Sequence, residues 1–286
     1  MSRDPIEITF TLDGAAQTIT VDPARSVLSL LREDFGCHQL AAGCSPQGIC
    51  GSCLAIVNGK PRVTCTMRAK TLNNKRLETL RSLSDVETRA LQQAFIAEGA
   101  VQCGYCMPGI LNQAAFLLRH ERHPGDDLIN QGLNLHLCRC TGYGAIRRAI
   151  RRAGDILDAE APPAPPETIL DAESRASLFG DLPRIDDIDR PGVVYMALRF
   201  APKAGSQIDR IDFSEAEMVD GVVAILTADA IPGAQVVDGR PLLVPVGAVA
   251  RSAADVVAVV GAETGAAARG AASGRVLGVP GGGGGA

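Results

Sequence analysis

The 286-residue sequence has no tryptophan, only three tyrosines and four scattered histidines. No apolar run approaches the roughly twenty residues that a membrane-spanning helix needs, and the opening residues MSRDPIEITF lack the apolar core of a signal peptide. We therefore expect no membrane span and a cytoplasmic location. The sequence also lacks an excess of positive charge, since its formal net charge is −4, and this argues against a nucleic-acid partner.

Cysteine, in contrast, is plentiful and clustered. Eight of the nine cysteines form two sets of four, which are Cys44, Cys50, Cys53 and Cys65, then Cys103, Cys106, Cys138 and Cys140. Four thiolates favour zinc or an iron–sulfur cluster over hard cations such as calcium. The clustered spacing and the odd count fit metal ligation in a reducing compartment better than disulfides. Cys37 belongs to neither set, and we interpret it as a buried, inert thiol.

The spacing of the first set favours a [2Fe–2S] cluster. The segment GCSPQGICGSC has the pattern C-x(5)-C-x(2)-C with a remote fourth cysteine, one residue longer than the plant-type C-x(4)-C-x(2)-C loop. Its interleaved glycines permit a backbone that points amide N–H groups at the sulfurs. Zinc sites usually show two C-x(2)-C pairs, which this set does not contain. Structural zinc remains the alternative at this point.

The second set is ambiguous when taken alone. Cys103 and Cys106 form a C-x(2)-C pair that superficially resembles a redox dithiol, but a C-x-C pair follows after thirty-one residues. Pro108 and an apolar-periodic stretch predict that a helix begins just after Cys106. A second helix is predicted after Gly142. Two helix N-termini would supply spare N–H donors and positive dipole ends to an anionic cluster.

Together these motifs resemble the iron–sulfur part of the xanthine oxidase family of molybdenum hydroxylases. The resemblance covers about residues 5–158 and rests on the ferredoxin-type loop followed by QCGYC and CRCTGY. It implies two [2Fe–2S] clusters that carry electrons from a molybdopterin cofactor to an external acceptor, such as a flavoprotein or a cytochrome. It also implies that Gln102 and Cys140 lie near the molybdopterin. The implied partner is a molybdenum-binding region or subunit.

The hydrophobic pattern predicts an α+β protein. Alternating residues on either side of Asp13-Gly14, and again around Asn58-Gly59, predict hairpins 6–12/17–21 and 54–57/62–65. Ser26 is a candidate N-cap for the helix that follows the first hairpin. We therefore predict a plant-type ferredoxin-like (β-grasp) domain at 1–80, then a four-helix [2Fe–2S]-binding domain at 81–158. Its helices are predicted at 86–98, 108–121, 126–137 and 143–157.

The remainder of the sequence predicts a linker and an incomplete domain. Four prolines in the stretch APPAPP predict a linker at 159–186. Residues 187–286 resemble a partial α/β start of the molybdenum-binding region, through Pro191-Gly192, a strand at 193–200 and ILTADAIPG. The glycine tail cannot supply side chains to a core. We therefore expect a fused, aldehyde oxidoreductase-like chain with a truncated C-terminus, or alternatively a flexible tail on a natural short chain, and we assign no catalytic residue.

These observations lead to one functional hypothesis and two alternatives. The hypothesis is electron transfer for a molybdenum hydroxylase that oxidises an aldehyde or an N-heterocycle with water as the oxygen source. A stand-alone ferredoxin-like carrier would instead be a stable monomer with no pterin-binding partner. A structural zinc protein would be colourless.

Overall fold

The structure is a computed structural model that describes residues 4–44, 46–159, 176, 178–188, 190–273 and 277–278. The chain divides into two compact units, Met1–Ile188 and Asp189–Ala286. Most of the predicted proline-rich linker, residues 160–175, lies outside the described residues.

Unit 1 begins with a five-stranded mixed sheet. Its strands are β1 (Ile6–Leu12), β2 (Ala15–Val21), β3 (Leu54–Val57), β4 (Lys60–Val63) and β5 (Arg76–Glu78). They lie in the order β2-β1-β5-β3-β4, with β1 parallel to β5 and every other neighbouring pair antiparallel. The two-residue turns at Asp13-Gly14 and Asn58-Gly59 have positive φ at both positions, which type I′ hairpins require. Both predicted hairpins are confirmed, although β2 begins at Ala15 and not at residue 17.

The second hairpin corrects one predicted boundary. Strand β4 runs from Lys60 to Val63 rather than over 62–65. The tight turn leaves Lys60 directly opposite Val57, so pairing starts at once. Cys65 therefore lies just beyond the strand, where its side chain is not constrained to the pleat.

One short helix covers the sheet. Helix α1 (Val27–Glu33) begins at the predicted N-cap, because the Ser26 hydroxyl accepts a hydrogen bond from Ser29 N–H at 3.1 Å. Its buried face packs into the sheet core; that core includes Ile8, Phe10, Leu30, Leu31, Leu40 and Leu77. Residues 34–42 connect this helix to the first cysteine loop, and Leu40 in this connection is buried in the same core as the sheet and α1.

Most of the second core of unit 1 comes from four helices with described bounds, namely α2 (Asp85–Ala97), α3 (Met107–His120), α4 (Asp126–Leu133) and α5 (Tyr143–Asp158). The ends of α2, α3 and α5 lie within one residue of the prediction. Helix α4 ends at Leu133, four residues before the predicted 137. The backbone N–H of Leu137 donates to the Cys50 carbonyl at 3.0 Å instead of continuing the helix. None of the described helices combines the length and the apolar character needed to cross a membrane.

The last residues of the predicted linker that the structure describes pack against the helices of unit 1. Leu178 is fully buried in the core of the helices, and Phe179 packs against the same core. Burial of these two apolar side chains explains why unit 1 extends to Ile188.

Unit 2 contains a three-stranded antiparallel sheet in the order β6-β11-β8. Its described elements are β6 (Tyr195–Phe200), β7 (Arg210–Ile211), α6 (Ser214–Glu217), β8 (Val222–Leu226), β9 (Val236–Val237), β10 (Arg240–Pro241), β11 (Val256–Ala262), α7 (Gly265–Ser273) and β12 (Leu277–Gly278). Small side chains of α7 pack on one face of the sheet, against Ala197 and Val260. The opposite face exposes Met196, Leu198 and Phe200. Strand β6 begins at Tyr195, two residues later than predicted.

Glu87 ties α2 to α3. Its carboxylate accepts hydrogen bonds from Ser84 N–H at 2.9 Å, from Arg119 Nε at 2.5 Å and from Arg119 Nη2 at 3.0 Å. Burial alone would raise the pKa of Glu87, but the Arg119 and Ser84 donors outweigh it and lower the pKa to about 2. The ordinary value is 4.5. The stabilisation is therefore complete above the ordinary pKa and is lost as the pH falls toward 2.

We expect Glu87→Gln to lower the free energy of unfolding at pH 7 by about 1–2 kcal/mol, because it weakens a capping box and a partly exposed ion pair. The loss of stability between pH 4.5 and pH 2 should also become shallower than in the wild type. Urea unfolding at pH 7 and pH 3 measures both effects, with Asp85→Asn in the same helical turn as control. Identical pH dependence in the wild type and Glu87→Gln would contradict this role.

Candidate metal centres

The structure arranges the first cysteine set as two pairs. Cys44 is half-buried, whereas Cys50, Cys53 and Cys65 are buried. The thiols of Cys44 and Cys50 are hydrogen-bonded to each other, and so are those of Cys53 and Cys65. The loop and the turn after β4 bring together all four residues predicted for this set.

The loop backbone favours a negative charge at Cys44. Burial alone would raise the pKa of Cys44, but hydrogen bonds from Ile49, Gln47 and Cys50 lower it to about 6. The Gln47 N–H lies 3.4 Å from the Cys44 sulfur. Burial, followed by the nearby Cys53 thiol, raises the pKa of Cys65 to about 12. These inward-pointing amides are the feature that the glycine-rich loop was expected to supply.

The second set is also paired. Cys103 contacts Cys140, and Cys106 contacts Cys138. Burial raises the pKa of both Cys103 and Cys106, whereas the Cys103 backbone N–H and thiol lower the pKa of Cys140. The four predicted residues of this set are thus brought together from two loops that are distant in sequence.

Pairing of the thiols fits a two-iron cluster in each set. A [2Fe–2S] cluster takes two thiolates on each of its two irons, whereas tetrahedral zinc gathers four ligands around one point. The donor chemistry therefore fits iron–sulfur clusters better than structural zinc.

Two helix N-termini lie beside the second set, as predicted. Helix α3 begins immediately after Cys106, with Pro108 in its first turn, and α5 begins three residues after Cys140. Thr141, in the turn before α5, has a φ of +57°, which a β-branched residue rarely adopts. Such strain is retained where the surrounding contacts fix the backbone. It indicates that the CRCTGY turn is held in one conformation.

Tyr143 holds that turn in place. Its hydroxyl accepts a hydrogen bond from Cys138 N–H at 2.9 Å and donates one to the His136 carbonyl, also at 2.9 Å. A single side chain thus satisfies two backbone groups of the ligand segment. The sequence motif contained Tyr143, but its role was not predicted.

We expect Tyr143→Phe to destabilise the turn around Cys138 by about 1–3 kcal/mol, because two backbone groups lose their partner. Amide hydrogen exchange should become faster at residues 136–140 and stay unchanged in strands β1–β5, which serve as the internal control. Exchange rates that match those of the wild type at every residue of unit 1 would show that the hydroxyl is dispensable.

The two cysteine sets are in direct backbone contact. Leu137, next to Cys138, donates its N–H to the carbonyl of Cys50 at 3.0 Å. Close approach is possible because Gly51 and Gly109 lack side chains; a Cβ atom at Gly109 would lie 2.1 Å from the Gly51 oxygen. Asn112 Nδ2 adds a hydrogen bond of 2.9 Å to the Leu54 carbonyl. Sheet and helices are therefore joined at the cysteine loops.

His136 lies buried in this junction. It is only 2% exposed, its Nε2 lies 3.2 Å from the Gly109 carbonyl oxygen, and burial lowers its pKa to about 4. It is therefore neutral at pH 7. Its ring lies against Gly51, between two ligands of the first cysteine set.

The Gln102 side chain lies beside the turn that contains Cys140. A Cβ atom at Gly142 would lie 3.4 Å from Gln102 Nε2. Gln102 is exposed and Cys140 is half-buried, so a neighbouring molecule could reach both. An open cavity of about 750 Å³ is lined by residues of both cysteine sets, including Cys44, Cys50, Cys103, Cys106 and Cys138.

Cys37 stands apart from both sets, as predicted. It is fully buried, and its sulfur lies 3.8 Å from the Phe35 carbonyl oxygen. Burial raises its pKa to about 11 in spite of the nearby Arg81. These properties are those of an inert core thiol.

The comparisons with known proteins identify matching regions in both units. Residues 78–151 match the "[2Fe-2S] binding domain" family, and residues 180–276 match the family "Aldehyde oxidase and xanthine dehydrogenase, a/b hammerhead domain". The nicotinate dehydrogenase small FeS subunit of Eubacterium barkeri is 43% identical over 149 residues, which are 52% of this chain and 94% of that subunit.

Two solved structures extend the likeness to the fold. The aldehyde oxidoreductase of Desulfovibrio gigas is 26% identical with a TM-score of 0.69, over 93% of this chain and 33% of that one. Quinoline 2-oxidoreductase of Pseudomonas putida 86 is 33% identical with a TM-score of 0.50, over 55% of this chain and 97% of the matched one. This chain thus spans about a third of the length of the aldehyde oxidoreductase.

The fold and the cysteine sets define an iron–sulfur protein related to oxidoreductases. The chain belongs to the xanthine oxidase family of molybdenum hydroxylases, in which its relatives include iron–sulfur subunits and the aldehyde oxidoreductase. The resemblance read from QCGYC and CRCTGY is confirmed.

Proposed function

We propose that the chain binds two [2Fe–2S] clusters and transfers electrons for a molybdenum hydroxylase. One observation carries the proposal: eight thiols form two sets of two pairs, and the sets meet at the hydrogen bond between Leu137 and Cys50. A chain with a single metal site would need only one such set.

The residues have separate roles in this proposal. One cluster would be held by Cys44, Cys50, Cys53 and Cys65, and the other by Cys103, Cys106, Cys138 and Cys140. Each cluster, when bound, would supply a one-electron carrier whose potential depends on hydrogen bonds to sulfur, burial and net charge. Loop amides near Cys44 and the N-termini of α3 and α5 would favour the anionic state.

Contact between the sets provides the route for electrons. Cys138 is covalently linked to Leu137, and Leu137 N–H reaches the Cys50 carbonyl at 3.0 Å. Only one hydrogen bond therefore separates a ligand of one set from a ligand of the other. The glycines at 51 and 109 keep this distance short by excluding side chains from the junction.

The partner in this proposal is a molybdenum-binding region or subunit. Gln102 and Cys140 would lie near its molybdopterin, because both are accessible and the Gln102 side chain lies beside the turn that contains Cys140. The substrate class would be an aldehyde or an N-heterocycle, since the relatives are named for an aldehyde, nicotinate and quinoline. Electrons would leave to a flavoprotein or a cytochrome in the cytoplasm, and water would supply the oxygen. Residues 187–286 would form part of the molybdenum-binding region.

Metal and sulfide analysis tests the proposal directly. Anaerobically purified chain should be brown and contain about four iron and four acid-labile sulfide per chain. The absence of tryptophan keeps aromatic absorption low, so the cluster bands will be easy to follow. A colourless protein with about two zinc ions would overturn it.

A second measurement separates the proposal from a stand-alone carrier. The tagged chain should co-purify from its own cells with a protein that contains molybdenum, measured by elemental analysis of the complex. A stable brown monomer without molybdenum would favour the free carrier instead.

A further inference from the structure

The segment 178–188 crosses the surface of unit 1 from the helices to the sheet. Leu178 is buried among the helices, and the backbone at Gly180 passes between Gln39 and Pro108. A Cβ atom at Gly180 would lie 2.7 Å from Gln39 Cα and 3.0 Å from Pro108 Cγ. We call residues 178–188 the strap, because they join both halves of unit 1.

The far end of the strap is fixed by charge. The Asp187 carboxylate forms an ion pair with Arg32, and His38 Nδ1 lies 3.3 Å from it. The Asp187 side chain is only 4% exposed, and its other oxygen accepts the Arg184 N–H at 2.9 Å. Arg32 also donates to the carbonyls of His38 and Leu40, in the chain that leads to Cys44. The strap is thus anchored to the support of the first cysteine loop.

The strap places a cation beside both cysteine sets. The Arg184 guanidinium lies over the Tyr105 ring, 4.5 Å from its centroid. Tyr105 lies between Cys103 and Cys106 in the sequence. At Gly43, a Cβ atom would be 3.0 Å from Tyr105 Cε1 and 3.0 Å from Cys50 Sγ, so the ring and that sulfur border the same gap.

The Arg184 guanidinium is shielded as well as stacked. Its Nη2 atom is buried and has no hydrogen-bond partner among the described residues. Burial of a cationic nitrogen is costly, and it strengthens the field that the charge exerts on nearby groups. An uncharged side chain could make the same packing contact with Tyr105, so packing alone does not explain why this residue is charged.

We propose that Arg184, held by the strap over Tyr105, raises the reduction potential of the cluster bound by Cys103, Cys106, Cys138 and Cys140. The inference rests on the proposed function, because it requires that cluster. Reduction adds one electron and one negative charge, so a fixed nearby cation stabilises the reduced form. Arg184 acts through the electrostatic field of its guanidinium and contacts no reacting atom.

Redox titration of the cluster-loaded chain tests this role, with dithionite as reductant, ferricyanide as oxidant and electron paramagnetic resonance as readout. We expect Arg184→Gln to lower the ratio of reduced to oxidised cluster about tenfold at a fixed potential, which is a shift of about 59 mV for one electron. Arg184→Lys keeps the charge and should retain most of the wild-type potential. Arg89→Gln, on helix α2, removes a cation from an element without cysteines and is the matched control.

The outcomes are distinguishable. Unchanged potentials in Arg184→Gln, with both clusters present, would overturn the inference and leave the proposed function intact. An equal shift in Arg184→Lys and Arg184→Gln would also overturn it, because packing rather than charge would then set the potential. A chain without iron and sulfide would instead contradict the proposed function itself. Hydrogen exchange at residues 178–188 verifies that the strap stays in place in each variant.

Discussion

Cys50→Ser should remove one iron–sulfur cluster and leave the other intact, whereas Cys138→Ser should do the reverse. Each variant should retain about two of about four iron atoms per chain. The reason is that the two sets share no thiol: Cys50 is paired with Cys44, and Cys138 is paired with Cys106. Replacing a soft thiolate by a hydroxyl removes the donor that iron in these clusters prefers.

Iron analysis and electron paramagnetic resonance of the reduced proteins measure the effect, since two different environments should give two different signals. Cys37→Ser is the matched control, because this buried thiol belongs to neither pair and its loss should leave both signals unchanged. Loss of both signals from Cys50→Ser or from Cys138→Ser alone would contradict two independent sites.

Features set by neighbouring residues were predictable from the sequence. The Asp13-Gly14 and Asn58-Gly59 turns require backbone angles that few other dipeptides adopt, so both hairpins could be placed. Ser26 caps α1 as predicted. The start of α3 followed from Pro108 together with the apolar period behind it. The cysteines could be grouped because their spacing is itself a local pattern.

Features set by contacts between distant segments were not predictable in the same way. Helix α4 stops at Leu133 because Leu137 N–H finds the carbonyl of Cys50, and no signal in residues 126–137 shows this. The strap lies at the end of a segment whose prolines predicted only a spacer, although the apolar pair Leu178-Phe179 was a sign of burial. Asn112, inside the apolar stretch of α3, was a comparable sign of a specific hydrogen bond.

The two glycines at the junction, Gly51 and Gly109, differ in whether the local sequence explains them. Gly51 has a φ of +72°, so its loop geometry alone accounts for glycine. Gly109 sits in the first turn of a helix, where alanine would ordinarily be better. Glycine is required at position 109 because the Gly51 carbonyl, in the other half of unit 1, occupies the space that a side chain would take. The sequence of α3 alone cannot reveal that neighbour.

Gly109→Ala should therefore destabilise unit 1 strongly. The new Cβ atom would lie 2.1 Å from the Gly51 oxygen and 3.2 Å from Ser52 Cα, and backbone cannot turn aside as a flexible side chain can. Helix α3 must then move away from the loop, which strains the Asn112 bond to Leu54 and the Leu137 bond to Cys50. We expect a loss of about 3 kcal/mol in the free energy of unfolding, at the upper end for overpacking.

The matched control is Gly144→Ala, in the first turn of α5. There the nearest atom to a new Cβ would be Arg148 Nη1, at an ordinary 3.8 Å, so alanine should be neutral or stabilise by about 0.5–1 kcal/mol. Urea unfolding of both variants without clusters measures the difference, and stopped-flow reduction of the cluster-loaded proteins measures transfer between the sets. Because the Leu137–Cys50 bond is the shortest connection proposed here, Gly109→Ala should slow that transfer while each cluster still assembles. Equal stability of the two variants would mean that α3 does not pack against Gly51, and an unchanged transfer rate in Gly109→Ala would contradict the proposed role of this junction in electron transfer.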